Sequence, residues 1–487
     1  MAGIGFELKR LFEKDGIAAR IRAYSYASSV ISGPMILGIF LLLAVLKLAE
    51  MDGAPLGERE MLLSLLTYGL LFSLITSSVL SVICTRYVAD ALYLKRKNLV
   101  LPSFYGSAGL ALLVGGLLYG TFLLFSGIPF AYQVLSFLFY MTVLFVWIEM
   151  TYLSAVNDYK NVMVTFAAAI GILIAVGFVL TRFTKLDTTV ALLGAAWAAY
   201  GVMGIRYYAL LLEYFSPSKH SPFHFLRWIE HHPLLFFLGM LIPVGLYGHL
   251  FIMWFSPLQV TVMGWFRGAP TYDVSALVAI LSTLITSISF VISVEVRFYP
   301  EYRRYFSLLN DGGTITDIAY QEKKMLRVLH DELEALLVKQ VIATIFFITI
   351  GTVILDNMAL GFTGDMLGIF RILCIGYALY AIGNSTMLIL LYFEDHLGAF
   401  CGAVVLAVST NVCTFISKGW ESSYYGMGFL LGAGLFCLFV YWRLNWYTKN
   451  LIYHVIAQQP LQEIERHGVM VQFADRMERL RQTKKHD

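Results

Sequence analysis

Two acidic residues stand within or beside long apolar stretches, where a charged group is costly and usually has a function. Glu149 follows the run FLFYMTVLFVWI, and Glu295 follows LITSISFVISV. A carboxylate in such a place can pair with a cationic substrate group or with a neighbouring cation of the protein. For Glu149 both interpretations are open. Glu149 and Glu295 are therefore candidates for lining a substrate cavity.

A second set of polar residues lies on one face of a later apolar stretch. Tyr377, Tyr380 and Asn384 follow a spacing of three and then four residues, which places them on the same side of a helix. Aromatic rings can stack on sugar rings, and an amide can hydrogen-bond hydroxyl groups. Packing between helices is the alternative for each tyrosine. The pattern predicts a cavity face that suits a carbohydrate.

Long apolar helices must position these residues. Of the 487 residues, 59% are hydrophobic and 14% are charged, whereas soluble chains average roughly 25% charged residues. A membrane-spanning helix needs about 20 apolar residues. We find about twelve such stretches, and they predict an all-α integral membrane protein. They lie near 24–48, 62–84, 103–126, 131–155, 162–181, 190–214, 233–255, 273–295, 339–356, 366–391, 398–417 and 425–445.

The basic residues indicate how the chain is oriented. With the N-terminus inside, 28 Lys and Arg fall on the inner side and six on the outer side. This asymmetry predicts that both termini lie in the cytoplasm. The net charge of only +3 gives no information about partners.

The sequence repeats itself about 210 residues apart. LITS occurs at 74–77 and again at 284–287, and Arg-aromatic pairs follow at Arg86 and Arg297. Pro34 and Pro243 each lie about ten residues into the first span of their half. The agreement predicts two six-helix bundles related by a pseudo-twofold axis along the membrane normal, a plan found among transporters. Because proline kinks a helix, Pro34 and Pro243 are candidate hinges.

The spans and loops predict a division of the chain into segments. A cytoplasmic amphipathic helix covers 1–23, and the two bundles cover 24–214 and 233–447, with a linker at 215–232. A long cytoplasmic loop covers 297–338, and a cytoplasmic tail covers 448–487.

The long loop is a candidate docking surface for a cytoplasmic protein. Pro300 and the run NDGG at 310–313 divide it into two helices, and Thr314 or Thr316 can cap the second. Packing on the floor of the bundle is the alternative. Its aromatic and basic residues are the docking candidates: Tyr302, Arg303, Arg304, Lys323 and Lys324.

Enzymatic and metal-binding signatures are missing from the sequence. It holds no GxxxxGK[ST], HExxH or GxSxG motif, and its five cysteines show no paired spacing. We predict no catalytic residue, no metal site and no cofactor.

Several motifs together resemble the PelG family of bacterial Pel exopolysaccharide secretion. The motifs are MAGIGFELKRLF, SGP, TRYVADALYLKR, LSAVNDYK, FYPEYRRYFSLLNDGGTITDI and LLYFED. The family is related to the multidrug/oligosaccharidyl-lipid/polysaccharide exporter superfamily, and the resemblance covers roughly 1–447.

The resemblance implies an inner-membrane transporter that moves a partially deacetylated amino-sugar polymer for the biofilm matrix. It also implies a cytosolic glycosyltransferase and membrane partners, one of which senses cyclic di-GMP. No nucleic-acid partner is expected. Two alternatives are open: a membrane-embedded glycosyltransferase or acyltransferase, and a scaffold that anchors a polysaccharide synthase without transport.

Overall fold

The structure is a computed structural model that describes residues 28, 36, 38–154, 159–218, 220–357, 363–457 and 468–483. The amphipathic helix predicted over 1–23 and the candidate hinge Pro34 lie outside the described residues. The first predicted span is described mainly through helix α1, residues 38–51.

Among the described residues, eleven helical stretches are long and apolar enough to span a membrane. A stretch with local irregularities, such as Pro270–Asn310, is counted as one. They coincide with the second to twelfth predicted spans. The helices of the first half are α2 (Leu56–Tyr93), α3 (Val100–Phe125), α4 (Phe130–Leu153), α5 (Tyr159–Phe183) and α6 (Thr188–Tyr214). The later ones are α7 (Arg227–His231), α8 (Pro233–Met253), α9 (Pro270–Ala279), α10 (Leu284–Ile292), α11 (Tyr299–Asn310), α12 (Ile315–Phe346), α13 (Thr352–Asn357), α14 (Gly364–Tyr392), α15 (His396–Ser417), α16 (Met427–Thr448), α17 (Leu451–Ala457) and α18 (Val469–Thr483).

Large apolar side chains on the outsides of these helices are exposed. On α3, for example, Leu117 and Leu118 are 65% and 67% exposed. In water such continuous apolar surfaces would be a liability, whereas the hydrocarbon of a bilayer matches them. The packing thus agrees with a multi-pass membrane protein.

The chain divides into two compact units. The N unit contains the described residues from Ile36 to Pro243, the segment Val260–Gly268 and the tail helix α18. The C unit contains Ser28, the segment Val244–Gln259 and the described residues within Ala269–Gln462. The chain therefore leaves the N unit in the middle of α8, directly after Pro243. The segment boundaries given by the sequence stay predictions.

In the N unit, α4 packs against α2, α3 and α6, and α5 packs on α6. The aromatic ring of Phe139 meets that of Tyr200 edge-on, with centroids 5.6 Å apart. Thr76 of the first LITS motif lies 3.0 Å from the Tyr140 hydroxyl, which joins α2 to α4. Aromatic and hydroxyl contacts thus join α4 to α6 and to α2.

A short antiparallel hairpin belongs to the N unit although it lies between α8 and α9 in the sequence. It consists of β1 (Val260–Met263) and β2 (Phe266–Gly268). The Tyr68 hydroxyl donates to the Arg267 carbonyl at 2.8 Å, and the Phe266 ring is buried 4.7 Å from the Tyr68 ring. Gly264 has a φ of +56°, and a Cβ there would collide with the Ser126 carbonyl. Only glycine fits that close approach.

In the C unit, α14 contacts α9, α12, α15 and α16. The Arg443 guanidinium donates to both carboxylate oxygens of Asp395, at 2.7 and 2.9 Å. Asp395 also caps α15 by accepting from the Gly398 amide at 2.9 Å. This buried bidentate pair fixes the turn between α14 and α15 to α16.

The helix that carries the second LITS motif is irregular. A 3-10 segment, Ile280–Thr283, precedes α10, and a π-helical segment, Ser293–Phe298, follows it. The Gln340 side chain donates to the Ser282 carbonyl at 3.3 Å and accepts a hydrogen bond from Thr286. A side chain of α12 thus satisfies a carbonyl in the 3-10 segment.

Helices α11 and α12 form the hairpin predicted from the long loop. The turn contains Gly312 at a φ of +90°, and the Thr314 hydroxyl caps α12 by accepting from the Asp317 amide at 3.2 Å. Met325 and Leu329, four residues apart on α12, are buried. The helix–turn–helix prediction is confirmed, with Thr314 rather than Thr316 as the cap.

Candidate functional site

Glu149 is buried in the N unit, one turn before the end of α4. Its side chain is 0% exposed, and neither carboxyl oxygen has a hydrogen-bond partner among the described residues. It faces α6, where a Cβ built on Gly204 would lie 3.6 Å from Oε2. An unpaired carboxylate in such surroundings costs several kcal/mol. Helix packing alone therefore does not explain why an acidic residue stands at position 149.

Tyr377 belongs to a buried polar cluster in the C unit. His249 of α8 lies between two phenols: its Nδ1 is 2.8 Å from the Tyr272 hydroxyl and its Nε2 is 3.4 Å from the Tyr377 hydroxyl. A neutral imidazole has one N–H donor and one acceptor, so one tyrosine donates to the ring and the other accepts from it. The hydroxyl of Tyr377 is thus held inside the protein, and the side chain is only 2% exposed.

A second polar contact lies next to this cluster. The Asp273 carboxylate accepts hydrogen bonds from the Trp254 indole at 2.9 and 3.1 Å and from the Ala269 amide at 3.0 Å. It joins the end of α8 to the start of α9. The sequence analysis missed His249, Tyr272 and Asp273 as a group. Their signal is weak: one histidine in an apolar run, and an aspartate in the first turn after Pro270.

Tyr380 and Asn384 differ from Tyr377 in burial. Both are half-buried, and the Tyr380 ring lies 6.4 Å from the Phe436 ring. Of the three residues on this face of α14, these two keep more accessible surface. They stay candidates for substrate contact, whereas Tyr377 is engaged with His249.

Glu295 lies in the π-helical segment and is 6% exposed. A π-turn inserts one extra residue into a helix and is frequent at functional sites. The small cavity beside this segment is lined mainly by apolar side chains, among them Phe290, Phe298 and Leu336. Its lining is unsuited to a sugar. Glu295 is brought close neither to Tyr380 nor to Asn384 by any described contact.

Of the two hinge candidates, Pro243 lies inside α8, at the residue where the chain passes from the N unit to the C unit. A proline removes one backbone hydrogen bond and so lowers the resistance of a helix to bending. Its role as a hinge stays a prediction.

The docking candidates fall into two groups. The Tyr302 hydroxyl donates to the Tyr392 carbonyl at 2.9 Å, and Lys324 pairs with Glu301 at 2.8 Å, so both are engaged within the C unit. Arg303, Arg304 and Lys323 are exposed. The aromatic ring of Tyr320, 71% exposed, adds to this surface. We call these four exposed residues the hairpin surface.

Comparison with known proteins places these features in a family and a fold. The profile of the PelG family, described as "Putative exopolysaccharide Exporter (EPS-E)", matches residues 1–456. No curated protein matches the chain significantly.

Solved structures similar to this chain include transporters of the MATE family. One, a MATE protein in the straight conformation, is 12% identical with a TM-score of 0.60, and the match covers 88% of this chain and 96% of that one. An inward-facing multidrug resistance MATE transporter of the MOP superfamily is 12% identical with a TM-score of 0.60, covering 88% and 99%. A MOP superfamily transporter from Pyrococcus furiosus is 13% identical with a TM-score of 0.58, covering 88% and 96%. At these identities the likeness concerns the fold, and it confirms the predicted fold class.

Proposed function

Because this chain belongs to the PelG family of exopolysaccharide exporters, we propose that it moves an amino-sugar polymer across the bacterial cytoplasmic membrane. The polymer would enter the biofilm matrix after secretion. Both termini would then lie in the cytoplasm, as the distribution of Lys and Arg predicts. The family and the fold are those of transporters, and we propose that the chain has no catalytic activity of its own.

The observation that carries the substrate proposal is the unpartnered carboxyl of Glu149. A partially deacetylated amino-sugar polymer carries free amines, which are cationic at neutral pH. An ammonium group that reached Glu149 would give the buried carboxylate a partner, which it does not have among the residues that the structure describes. Tyr380 and Asn384, half-buried on α14 of the C unit, are separate candidates for contact with the polymer, the first through its ring and the second through its amide.

Replacement of Glu149 tests this proposal. Glu149→Gln keeps the size and removes the charge, so we expect polymer export to fall at least about tenfold per folded protein, the effect of losing about 1.4 kcal/mol. Glu149→Asp should retain part of the export. Glu213→Gln is the matched control, because Glu213 is exposed in the same unit and pairs only with Arg206 at 3.2 Å among the ion pairs of the described residues. Export by Glu149→Gln equal to that of the control would reduce Glu149 to a structural group.

We also propose that the hairpin surface docks a cytosolic glycosyltransferase and that the chain has membrane partners, one of which senses cyclic di-GMP. The support is the exposure of Arg303, Arg304 and Lys323 beside Tyr320. Exposed aromatic and arginine side chains are common anchors of protein interfaces.

Point variants test docking better than a deletion, since a deletion of 303–334 would remove the buried Met325 and Leu329. The triple variant Arg303→Glu, Arg304→Glu and Lys323→Glu should lose the synthase in a pull-down from membranes. Arg327→Glu, exposed on the same helix, serves as the control for a change in charge alone. Full recovery of the synthase by the triple variant would contradict the docking proposal.

A further inference from the structure

The tail helix α18 begins against a carboxylate of the linker that precedes α8. Glu230 accepts hydrogen bonds from the Met470 amide at 2.6 Å and the Val471 amide at 3.3 Å. Backbone amides at a helix N-terminus lack partners within the helix and favour an anion. Glu230 therefore fixes where α18 starts and in which direction it leaves.

One turn further along α18, oppositely charged side chains of the linker and the tail form ion pairs. The Arg227 guanidinium donates to Asp475 at 2.5 Å and to Glu478 at 3.1 Å, two carboxylates on one face of α18. All three side chains are between 28% and 37% exposed, so water weakens the pairs only in part. The Phe223 and Phe473 rings meet edge-on at 5.8 Å. Charge, capping and aromatic contact all join the same two segments.

The linker is in turn held to the inner end of α2. The Trp228 indole donates to the Asp90 carboxylate at 2.7 Å, and its ring meets the Tyr87 ring edge-on at 4.8 Å. The linker continues directly into α8 at Pro233. The inner half of α8, up to Pro243, belongs to the same compact unit as α18. The tail thus holds the segment from which the proline-containing helix starts.

The tail helix also lies beyond the residues that the family profile matches, which end at 456. We propose that α18 is a releasable clasp: it docks on the linker surface formed by Phe223, Arg227 and Glu230, and while docked it restrains the inner half of α8. Release of the clasp frees α8 to move about Pro243, so the tail controls how readily the chain changes conformation. The effect on export rests on the proposed function, whereas the docking and the restraint do not.

Charge reversal in the full-length protein tests the clasp. The variants are Arg227→Glu, the pair Asp475→Arg with Glu478→Arg, and the three changes combined. Arg476→Glu, exposed on the same helix, is the matched control. Hydrogen exchange is followed in peptides that cover 224–231, 233–243 and 469–478, and export is measured per folded protein.

We expect each single-sided reversal to raise exchange about tenfold in all three peptides, and the combined variant to restore protection, because the opposite charges meet again. Export should change at least twofold in the single-sided variants and return in the combined one. Unchanged exchange at 469–478 would show that the pairs do not hold the tail. If exchange rises at 469–478 and does not rise at 233–243, the tail docks without restraining α8. Either result overturns the proposal. If the wild-type chain exports no polymer, the proposed function fails, and exchange at 469–478 and at 233–243 still decides whether the clasp exists.

Discussion

The two helices that carry LITS share this motif and differ in their backbones. Helix α2 runs without interruption for 38 residues. The stretch from Pro270 to Asn310 passes instead through 3-10, α and π geometry. In both, the threonine of the motif reaches a side chain on a neighbouring helix: Thr76 meets Tyr140, and Thr286 meets Gln340. The two threonines thus make comparable contacts although the geometry of their helices differs.

The two helices also differ in how many of their polar groups the neighbouring side chain hydrogen-bonds. Tyr140 contacts the Thr76 hydroxyl, which already donates to the Phe72 carbonyl within α2 at 2.7 Å. Gln340 serves Thr286 and also the Ser282 carbonyl in the 3-10 segment. Thr76 in the regular helix keeps a hydrogen bond without Tyr140. Thr286 and the Ser282 carbonyl in the irregular stretch depend on Gln340.

The largest effect is expected from Gln340→Leu. This change leaves the buried Ser282 carbonyl and the Thr286 hydroxyl short of a partner, which should cost about 1–3 kcal/mol. The melting temperature in detergent should fall by several degrees. A melting temperature within a degree of wild type would mean that the 3-10 segment does not need Gln340.

A smaller effect is expected from Tyr140→Phe in the regular helix. Only the hydroxyl contact with Thr76 is lost, and Thr76 keeps its bond to the Phe72 carbonyl, so the cost should be about 0.5–1.5 kcal/mol. The same melting experiment measures it. If this variant loses as much stability as Gln340→Leu, the contrast between the two helices is wrong.

The smallest effect concerns pH, and it distinguishes the C-terminal ends of the two helices. Burial, followed by the nearby Arg227, lowers the pKa of His224, which lies 3.3 Å from the Tyr87 hydroxyl of α2. The other charged or titratable groups that act on it are Glu478, His220 and Arg96. Because the folded state disfavours the protonated ring, His224 contributes stability that is present above its ordinary pKa of about 6.5 and is lost as pH falls below it.

We therefore expect exchange at 224–231 to rise modestly between pH 7.5 and 5.5, and the rise to be smaller in His224→Gln. Exchange near Arg297, at the C-terminal end of the irregular helix, should respond less, since Arg297 pairs with the carboxylate of Glu332 at 2.5 Å. An equal response at both ends would contradict the comparison.

Periodicity and hydropathy were enough to predict the helices, because a membrane span needs little beyond length and apolarity. The Thr314 cap was predictable for a similar reason, since capping depends on residues three apart. The π segment around Glu295 was not, because its backbone depends on packing with α12. The contact of His249 with Tyr377 joins residues far apart in sequence, as does the docking of Asp475 on Arg227. One sequence gives no sign of which distant polar groups will meet.

The assignment of Val260–Gly268 and α18 to the N unit has a consequence for biosynthesis. A ribosome completes the five helices from α2 to α6 long before it reaches Phe266, which fills the space beside Tyr68. The tail helix emerges last of all. The N unit is therefore completed only once α18 has been made, and until then Tyr68 and Arg227 lack segments that contact them. The apolar surface around Tyr68 thus stays uncovered during much of synthesis, a state in which unfinished chains are prone to aggregate.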